Sequence, residues 1–256
     1  MVWHLTQKPH RVFPRNPLAA VIVDLRFHPI LKIGSKVPDF QESVRSVFAD
    51  YQEQPHQFVM VQPFGGVQVS HEKIFTFKKS DGTATLSLST SSLTLDSRQH
   101  AHRDQLISEA GLGVDALLRL YAPVQGARLG LRYVNFVDCK AISKDLGRDV
   151  GWHEVITERF LAVPSGLAQG EGTLYNVEVS SGMSEGEMTL RYGILRDPRD
   201  GAEKFRFDLD RYVDAPFESA RVRDYLAQFA ADMYSVFMDA KGPALEEWML
   251  KGDTSQ

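Results

Sequence analysis

The sequence is short of cysteine and of long apolar runs. Cys139 is the one cysteine in 256 residues, which excludes a disulfide framework within the chain and a metal site built from several thiolates. No run approaches the roughly 20 apolar residues that span a bilayer. The opening residues MVWHLTQKPHRVF lack the apolar core of a signal peptide. These features together predict a cytoplasmic protein.

Neither sign of charge dominates the chain. There are 29 Lys and Arg residues against 33 Asp and Glu residues, which gives a formal net charge of −4. A surface that wraps nucleic acid usually shows a basic excess, so this balance disfavours that class of partner. The 43% of hydrophobic residues is enough to bury a large core.

The usual motifs of catalysis and cofactor binding are missing as well. Gly111 and Gly113 fall within a predicted helix and do not follow a strand, so they are no dinucleotide fingerprint. The chain contains no G-x-S-x-G elbow to anchor a hydrolase triad. His100 and His102 lie at a predicted loop-to-helix junction, where an i, i+2 pair does not share a face. Cys139 follows a strand with no obvious base beside it, which is typical of an inert thiol. We therefore assign no catalytic residue, and we expect no metal and no cofactor.

What the chain does contain is a regular alternation of strand and helix patterns. LAAVIVDLRF at 18–27 is a β-branched apolar run of strand length. A helix is predicted from Pro38, because the side chains that follow fall on one helical face: Phe40, Val44, Val47, Phe48 and Tyr51. A β-meander and a second helix follow, with strands at 57–62, 67–79, 83–90 and 92–97 and a helix at 101–122.

The same order of elements then restarts. We predict a strand at 127–138, a helix around WHEVITERFL within 141–161, strands at 172–181, 186–196 and 204–213, and a helix at 217–240. The chain would thus be a single domain over 1–256, with pseudo-repeats at 18–122 and 127–240 and a short tail helix at 243–251. The predicted class is α+β, with one curved antiparallel sheet and long helices on one of its faces.

This repeated order resembles the duplicated saddle of the TATA-box-binding protein, in which one antiparallel sheet carries two long helices. The resemblance is one of fold and implies no function. A helix-grip sheet that curls around one long C-terminal helix is the alternative architecture.

Three segments resemble a known protein family: NPLAAVIVDLRF at the first strand, LGLRYVNF at mid-chain, and FAADMYSVFMDAKGPALEEWM near the C-terminus. They are similar to the sporadically distributed, conserved hypothetical family of bacterial proteins of about 250 residues, whose central strand reads L-R-Y-x-N. Its members often carry a histidine in the closing helix, where this chain has Asp232, Met233 and Tyr234. The resemblance implies a single domain of bacterial type and no established activity.

The candidate site lies on the polar side of the predicted strands. If the apolar rows of alternating residues meet the helices, the opposite sheet face gathers seven charged side chains: Asp24, Arg26, Arg132, Glu178, Arg191, Arg206 and Asp208. One interpretation is a solvated face with cross-strand ion pairs, each contributing about 0.2–1 kcal/mol. The other is a binding face, in which Arg26 and Arg132 form a pseudo-symmetric pair on the first strands of the two repeats.

Three functions remain open at this point. The first is a non-enzymatic binding or accessory protein, which engages a protein partner or a second copy of itself through the charged sheet face or a sheet edge. The alternative is an enzyme or ligand-binding domain for an anionic small molecule, in which arginines bind the anion and Glu178 or Asp208 acts as base or metal ligand. Nucleic-acid binding is the third and is disfavoured by the net charge.

Overall fold

The computed structural model describes residues 3, 5–61, 67–98, 103–122, 124–161, 174–198 and 201–252, without the side chains of 54–61 and 67–72. The described residues form ten strands and seven α-helices. The strands are β1 (Leu18–Phe27), β2 (Asp50–Val61), β3 (Val67–Lys78), β4 (Ala84–Leu88), β5 (Ser92–Ser97), β6 (Gln125–Val137), β7 (Val177–Gly182), β8 (Glu187–Arg196), β9 (Glu203–Val213) and β10 (Phe217–Glu218). The helices are α1 (Val37–Val44), α2 (Arg103–Tyr121), α3 (Cys139–Leu146), α4 (Trp152–Val155), α5 (Glu158–Leu161), α6 (Val222–Ala240) and α7 (Pro243–Leu250).

The strands form one antiparallel sheet, in the order β2-β3-β4-β5-β1-β6-β9-β8-β7, with β10 paired to β6. The predicted α+β class with an antiparallel sheet is confirmed. Strand, helix, meander and long helix occur twice along the chain, and α2 and α6, which follow the two meanders, each have 19 residues. Two long helices of equal length match the duplicated arrangement better than the helix-grip alternative.

The backbone divides into two compact units. Unit 1 comprises Met1–Ala20, Arg132–Arg211 and Gln228–Gln256, and unit 2 comprises Val21–Leu131 and Tyr212–Ala227. Unit 2 holds most of the first pseudo-repeat and unit 1 most of the second. The assignment of 1–256 as a single domain remains a prediction.

Unit 2 is built around the alternating apolar side chains of its strands. Val23 of β1 lies opposite Leu95 of β5 in the antiparallel register, and both side chains are buried. Helix α2 packs closely on this sheet, since a Cβ built on Gly113 would lie 3.1 Å from a methyl group of Leu86. The glycine that weakens α2 as an isolated helix therefore permits close contact between helix and sheet.

Unit 1 has an aromatic core on the other strands. Phe207 of β9 is buried and contacts Phe160 of α5 and Phe237 of α6, with ring centroids 5.4 and 6.1 Å apart. Phe229 and Met233 of α6 are also fully buried, which gives this helix an apolar face against the core. One face of β9 thus supports the core, and its other face is left for polar side chains.

Two predicted helices differ from the observed ones. Helix α1 ends at Val44, and Tyr51 lies in β2 with 38% of its surface exposed, so the prediction of a helix reaching Tyr51 was wrong. The apolar spacing continued past the helix because Phe48, which follows it, is buried too. The predicted helix at WHEVITERFL is two short helices, α4 and α5, and the sequence reading missed α3.

Candidate functional site: an arginine face on unit 1

Four neighbouring strands place polar side chains of unit 1 on one sheet face. We call this surface the arginine face and define it by Arg132 of β6, Arg206 and Asp208 of β9, Arg191 of β8, Glu178 of β7, and Asn176, which directly precedes β7. These residues alternate with buried apolar ones such as Phe205 and Phe207, which is why they share the face away from the core.

Arg132 and Asp208 form an ion pair with two hydrogen bonds on the arginine face. The guanidinium donates from Nε to Oδ1 of Asp208 at 2.8 Å and from Nη2 to Oδ2 at 2.6 Å. The carboxylate side chain is 1% exposed, whereas Arg132 is 40% exposed. Hydrogen bonding to Asp208 raises the pKa of Arg132 above its ordinary value, and the charge of Asp210 adds to this. Asp208 therefore fixes a cation at the surface, and Nη1 of Arg132 takes no part in the pair.

A second pair joins the two outer strands of unit 1. Arg191 and Glu178 lie directly opposite each other in the β7–β8 register, and Arg191 Nε donates to Glu178 Oε2 at 2.7 Å. The side chains are 26% and 53% exposed. The next pair on the same face is Ser180 and Thr189, whose hydroxyl oxygens lie 2.8 Å apart. Arg191 and Glu178 are in contact with water, unlike Asp208.

Arg206 is held by an amide and has spare hydrogen-bonding capacity. Its Nη2 donates to Oδ1 of Asn176 at 2.7 Å, and its Nε is buried with no hydrogen-bond partner among the described residues. Gly193 of β8 has φ +153°, and a Cβ there would collide with the backbone carbonyl of Tyr175. The close approach of the chain before β7 to β8 thus depends on a glycine.

The other predicted site residues lie in unit 2 and form a separate cluster. Asp24 accepts hydrogen bonds from Arg26 Nε at 2.9 Å, Arg128 Nη1 at 3.1 Å and Thr94 Oγ1 at 3.2 Å. Arg26 is 62% exposed and pairs within its own strand, whereas Arg132 pairs across strands with a buried carboxylate. Arg26 and Arg132 therefore differ in partner and burial, although they occupy the first strands of the two repeats.

The sequence reading missed a buried ion pair on the core side of unit 1. Arg211 of β9 lies on the core side of the sheet and donates from Nε to Oδ2 of Asp232 on α6 at 3.1 Å. Its side chain is 1% exposed and that of Asp232 is 5% exposed. Arg211 also donates to the backbone carbonyls of Glu185 at 2.6 Å and Glu187 at 3.2 Å. The alternation of residues along β9 places Arg211 on the same face as the buried apolar side chains. No local sequence pattern, however, pairs it with Asp232.

Cys139, the one cysteine of the chain, has the environment of a structural residue. The thiol of Cys139 is buried and donates to the carbonyl of Val150 at 2.9 Å. Burial raises its pKa to about 11, so it stays protonated and unreactive near neutral pH. His100 and His102 lie outside the described residues. Within the described ranges, no three His, Cys, Asp or Glu side chains cluster closely enough to hold a metal ion.

The sequence matches no protein-family model, and no curated protein matches it. The resemblance to the conserved hypothetical bacterial family therefore remains a prediction. No helix among the described residues is long and apolar enough to cross a membrane.

Proposed function

We propose that the chain is a non-enzymatic binding protein, which holds a protein partner on the arginine face of unit 1. The observation that carries the proposal is the Arg132–Asp208 pair, with a buried carboxylate and an exposed guanidinium. A guanidinium held in one orientation loses little conformational freedom when a partner binds, which lowers the cost of association. Arginine is also among the residues enriched at protein interfaces.

The remaining donors of the face suit the acceptors of a polypeptide. Arg191 uses Nε for Glu178, and Arg206 uses Nη2 for Asn176. The Nη groups of Arg191 and Nη1 of Arg206 can donate to carbonyl or carboxylate oxygens of a partner. Glu178, which is 53% exposed, supplies an acceptor beside them. A face that mixes donors and acceptors complements a protein surface better than a uniformly anionic polymer.

The geometry gives less support to an enzyme or receptor for small anions. Asp208 is 1% exposed and accepts two hydrogen bonds from Arg132, so its oxygens are turned away from any ligand on the surface. Glu178 is paired with Arg191. A base or metal ligand in that mechanism would have to leave its ion pair, whereas a binding face uses the pairs as they stand.

We also propose a cytoplasmic location for this activity. The chain has a single cysteine, and its thiol is buried and hydrogen-bonded. Nothing in such a chain depends on an oxidising compartment.

Affinity purification from native cells tests the proposal. The bait is the tagged chain as wild type, as Arg191→Glu, or as the control Arg45→Glu, which reverses the charge of an arginine that directly follows α1 in unit 2 and is 63% exposed. We expect a partner retained by wild type and by Arg45→Glu and reduced at least about tenfold by Arg191→Glu, because the new carboxylate repels acidic groups of the partner. Equal recovery on all three folded baits would overturn the proposed role of the face.

A further inference from the structure

Arg206 differs from the other arginines of the arginine face in its partner. Arg132 and Arg191 each donate to a carboxylate, with N–O distances between 2.6 and 2.8 Å. Arg206 instead donates from Nη2 to the side-chain amide oxygen of Asn176 at 2.7 Å, and it forms no ion pair with any described residue. An amide oxygen accepts the hydrogen bond but carries no net charge, so the positive charge of Arg206 has no counter-ion there.

The carboxylates on the same side of β9 do not compensate this charge. Asp208 lies two residues after Arg206 and is held by two hydrogen bonds from Arg132. Asp210 lies four residues after Arg206, which corresponds to about 13 Å along an extended strand. Charges in contact with water are largely screened beyond about 8 Å at physiological ionic strength. The surface around Arg206 therefore carries a net positive charge.

The guanidinium of Arg206 extends across a neighbouring strand. Arg206 belongs to β9 and Asn176 directly precedes β7, and β8 lies between these two strands in the sheet. The register that pairs Val177 with Tyr192 continues to Asn176 opposite Gly193, which has no side chain to fill the space above β8. Asn176 is exposed, so the end of the guanidinium that it holds is within reach of a partner.

We infer that the protein partner places an aspartate or glutamate carboxylate on Arg206. The inference rests on the proposed function and adds the chemistry of the partner at one position. A carboxylate offsets the charge of the guanidinium and accepts from Nη1, in a hydrogen bond about twice as strong as one to a neutral backbone carbonyl. A phosphate group carries close to two negative charges and is repelled more strongly by Glu178, which is 53% exposed and lies two residues from Asn176.

The variant Asn176→Asp supplies a carboxylate to Arg206 from within the chain. The substituted side chain places an oxygen where the amide oxygen now lies, 2.7 Å from Nη2, and competes with the carboxylate of the partner. We expect the purified full-length variant to bind the partner recovered with wild type at least about fivefold more weakly. Asn16→Asp is the matched control and should bind as wild type does. It adds the same charge at an exposed position outside the arginine face and keeps an acceptor for the N–H of Leu18, 3.1 Å away.

Carbodiimide coupling identifies the group that meets position 206. The variant Arg206→Lys keeps the positive charge and adds a primary amine. The carbodiimide activates a carboxyl group of the bound partner, and the amine displaces it as a urea, which carries away the carboxyl oxygen and leaves an amide bond. We expect mass spectrometry to find position 206 joined to an aspartate or glutamate of the partner. Arg45→Lys is the control, since Arg45 directly follows α1 and is 63% exposed, and it should give no such product.

The outcomes separate this inference from the proposed function. Wild-type affinity in Asn176→Asp, or a bound partner that does not couple to position 206, would refute the carboxylate on Arg206. The arginine face itself would still stand in that case if Arg191→Glu weakened binding. Wild-type affinity in Arg191→Glu as well would refute both the carboxylate on Arg206 and the proposed function.

Discussion

The guanidinium of Arg211 and the carboxylate of Asp232 form an ion pair in the interior of unit 1, with Nε 3.1 Å from Oδ2. Each member of the ion pair has further partners in the interior. Arg211 lies over the ring of Phe229 at 4.5 Å and donates to two backbone carbonyls. Asp232 accepts from the side-chain amides of Gln7 and Gln228, each at 2.8 Å. The pair therefore joins β9, α6 and the N-terminal segment of unit 1.

Removing one member of this pair is expected to destabilise the fold. Arg211→Met leaves a buried carboxylate without its main partner, and the expected loss is about 3–5 kcal/mol of unfolding free energy. The double variant Arg211→Met with Asp232→Leu should recover much of this loss, because no uncompensated charge remains. Urea unfolding of the three proteins measures the effect. A loss below about 1 kcal/mol for Arg211→Met would show that the pair is not desolvated as described.

The two ion pairs of the arginine face should respond differently to the same change. Arg132→Met leaves Asp208, which is 1% exposed, without its two donors, and we expect a loss of about 1–3 kcal/mol. Arg191→Met leaves Glu178, which is 53% exposed and can be hydrated, and we expect a change below about 1 kcal/mol. Chemical denaturation of the two variants and wild type in parallel measures the two losses of unfolding free energy. Equal losses would contradict the assigned difference in burial.

Gly193 is expected to be the least replaceable glycine of the sheet. A Cβ at this position would collide with the backbone carbonyl of Tyr175, which cannot rotate away as a side chain can. We expect Gly193→Ala to lose about 3 kcal/mol or more. Gly82→Ala is the control, because Gly82 has φ +70° but open space around it, and its expected loss is about 1–2 kcal/mol. Thermal unfolding that ranks the two variants in the opposite order would refute the close approach at Gly193.

Stability should fall at alkaline pH partly through Cys139. Burial raises the pKa of its thiol from 9.0 to about 11. Below pH 9 the thiol is protonated in both the folded and the unfolded chain, so its contribution is fully present there. Between pH 9 and 11 the unfolded chain loses the proton first, and the contribution declines as pH rises through this window.

The variant Cys139→Ala, which has no thiol, tests this contribution. Its unfolding free energy should fall less steeply than that of wild type across the same window, by up to about 1.4 kcal/mol per pH unit. Parallel slopes for the two proteins in urea titrations would show that the thiol is not buried as described.

The sequence predicted most of the strands because their apolar residues alternate. Val21, Val23 and Leu25 of β1 are buried as the pattern requires. In unit 1, Arg132, Arg206 and Asp208 lie on the face away from the buried Phe205 and Phe207. Failures occurred where the pattern was ambiguous. Tyr51 continued a helical spacing although the chain had already entered β2.

Helix α3 was missed although its ends carry recognisable signals. Asp138 caps its N-terminus by accepting from Ala141 N, and Gly147 ends it with φ +71°. The partners within the site were beyond prediction for another reason. Arg211 and Asp232 are separated by 21 positions, and Arg132 and Asp208 by 76. Such pairs form only when the strands and helices are assembled. The alternation of apolar and polar residues therefore predicts on which sheet face a charged side chain lies, but not which residue it pairs with.

The most direct test of the central claim is photo-crosslinking inside native cells. A photoreactive phenylalanine analogue replaces Arg191 on the arginine face in one sample and Arg45, which directly follows α1, in the other. The crosslinked products are identified by mass spectrometry. Binding on the arginine face predicts a covalent adduct with another protein from position 191 and none from position 45. The same adducts from both positions, or no adduct from position 191 in a folded chain, would contradict it.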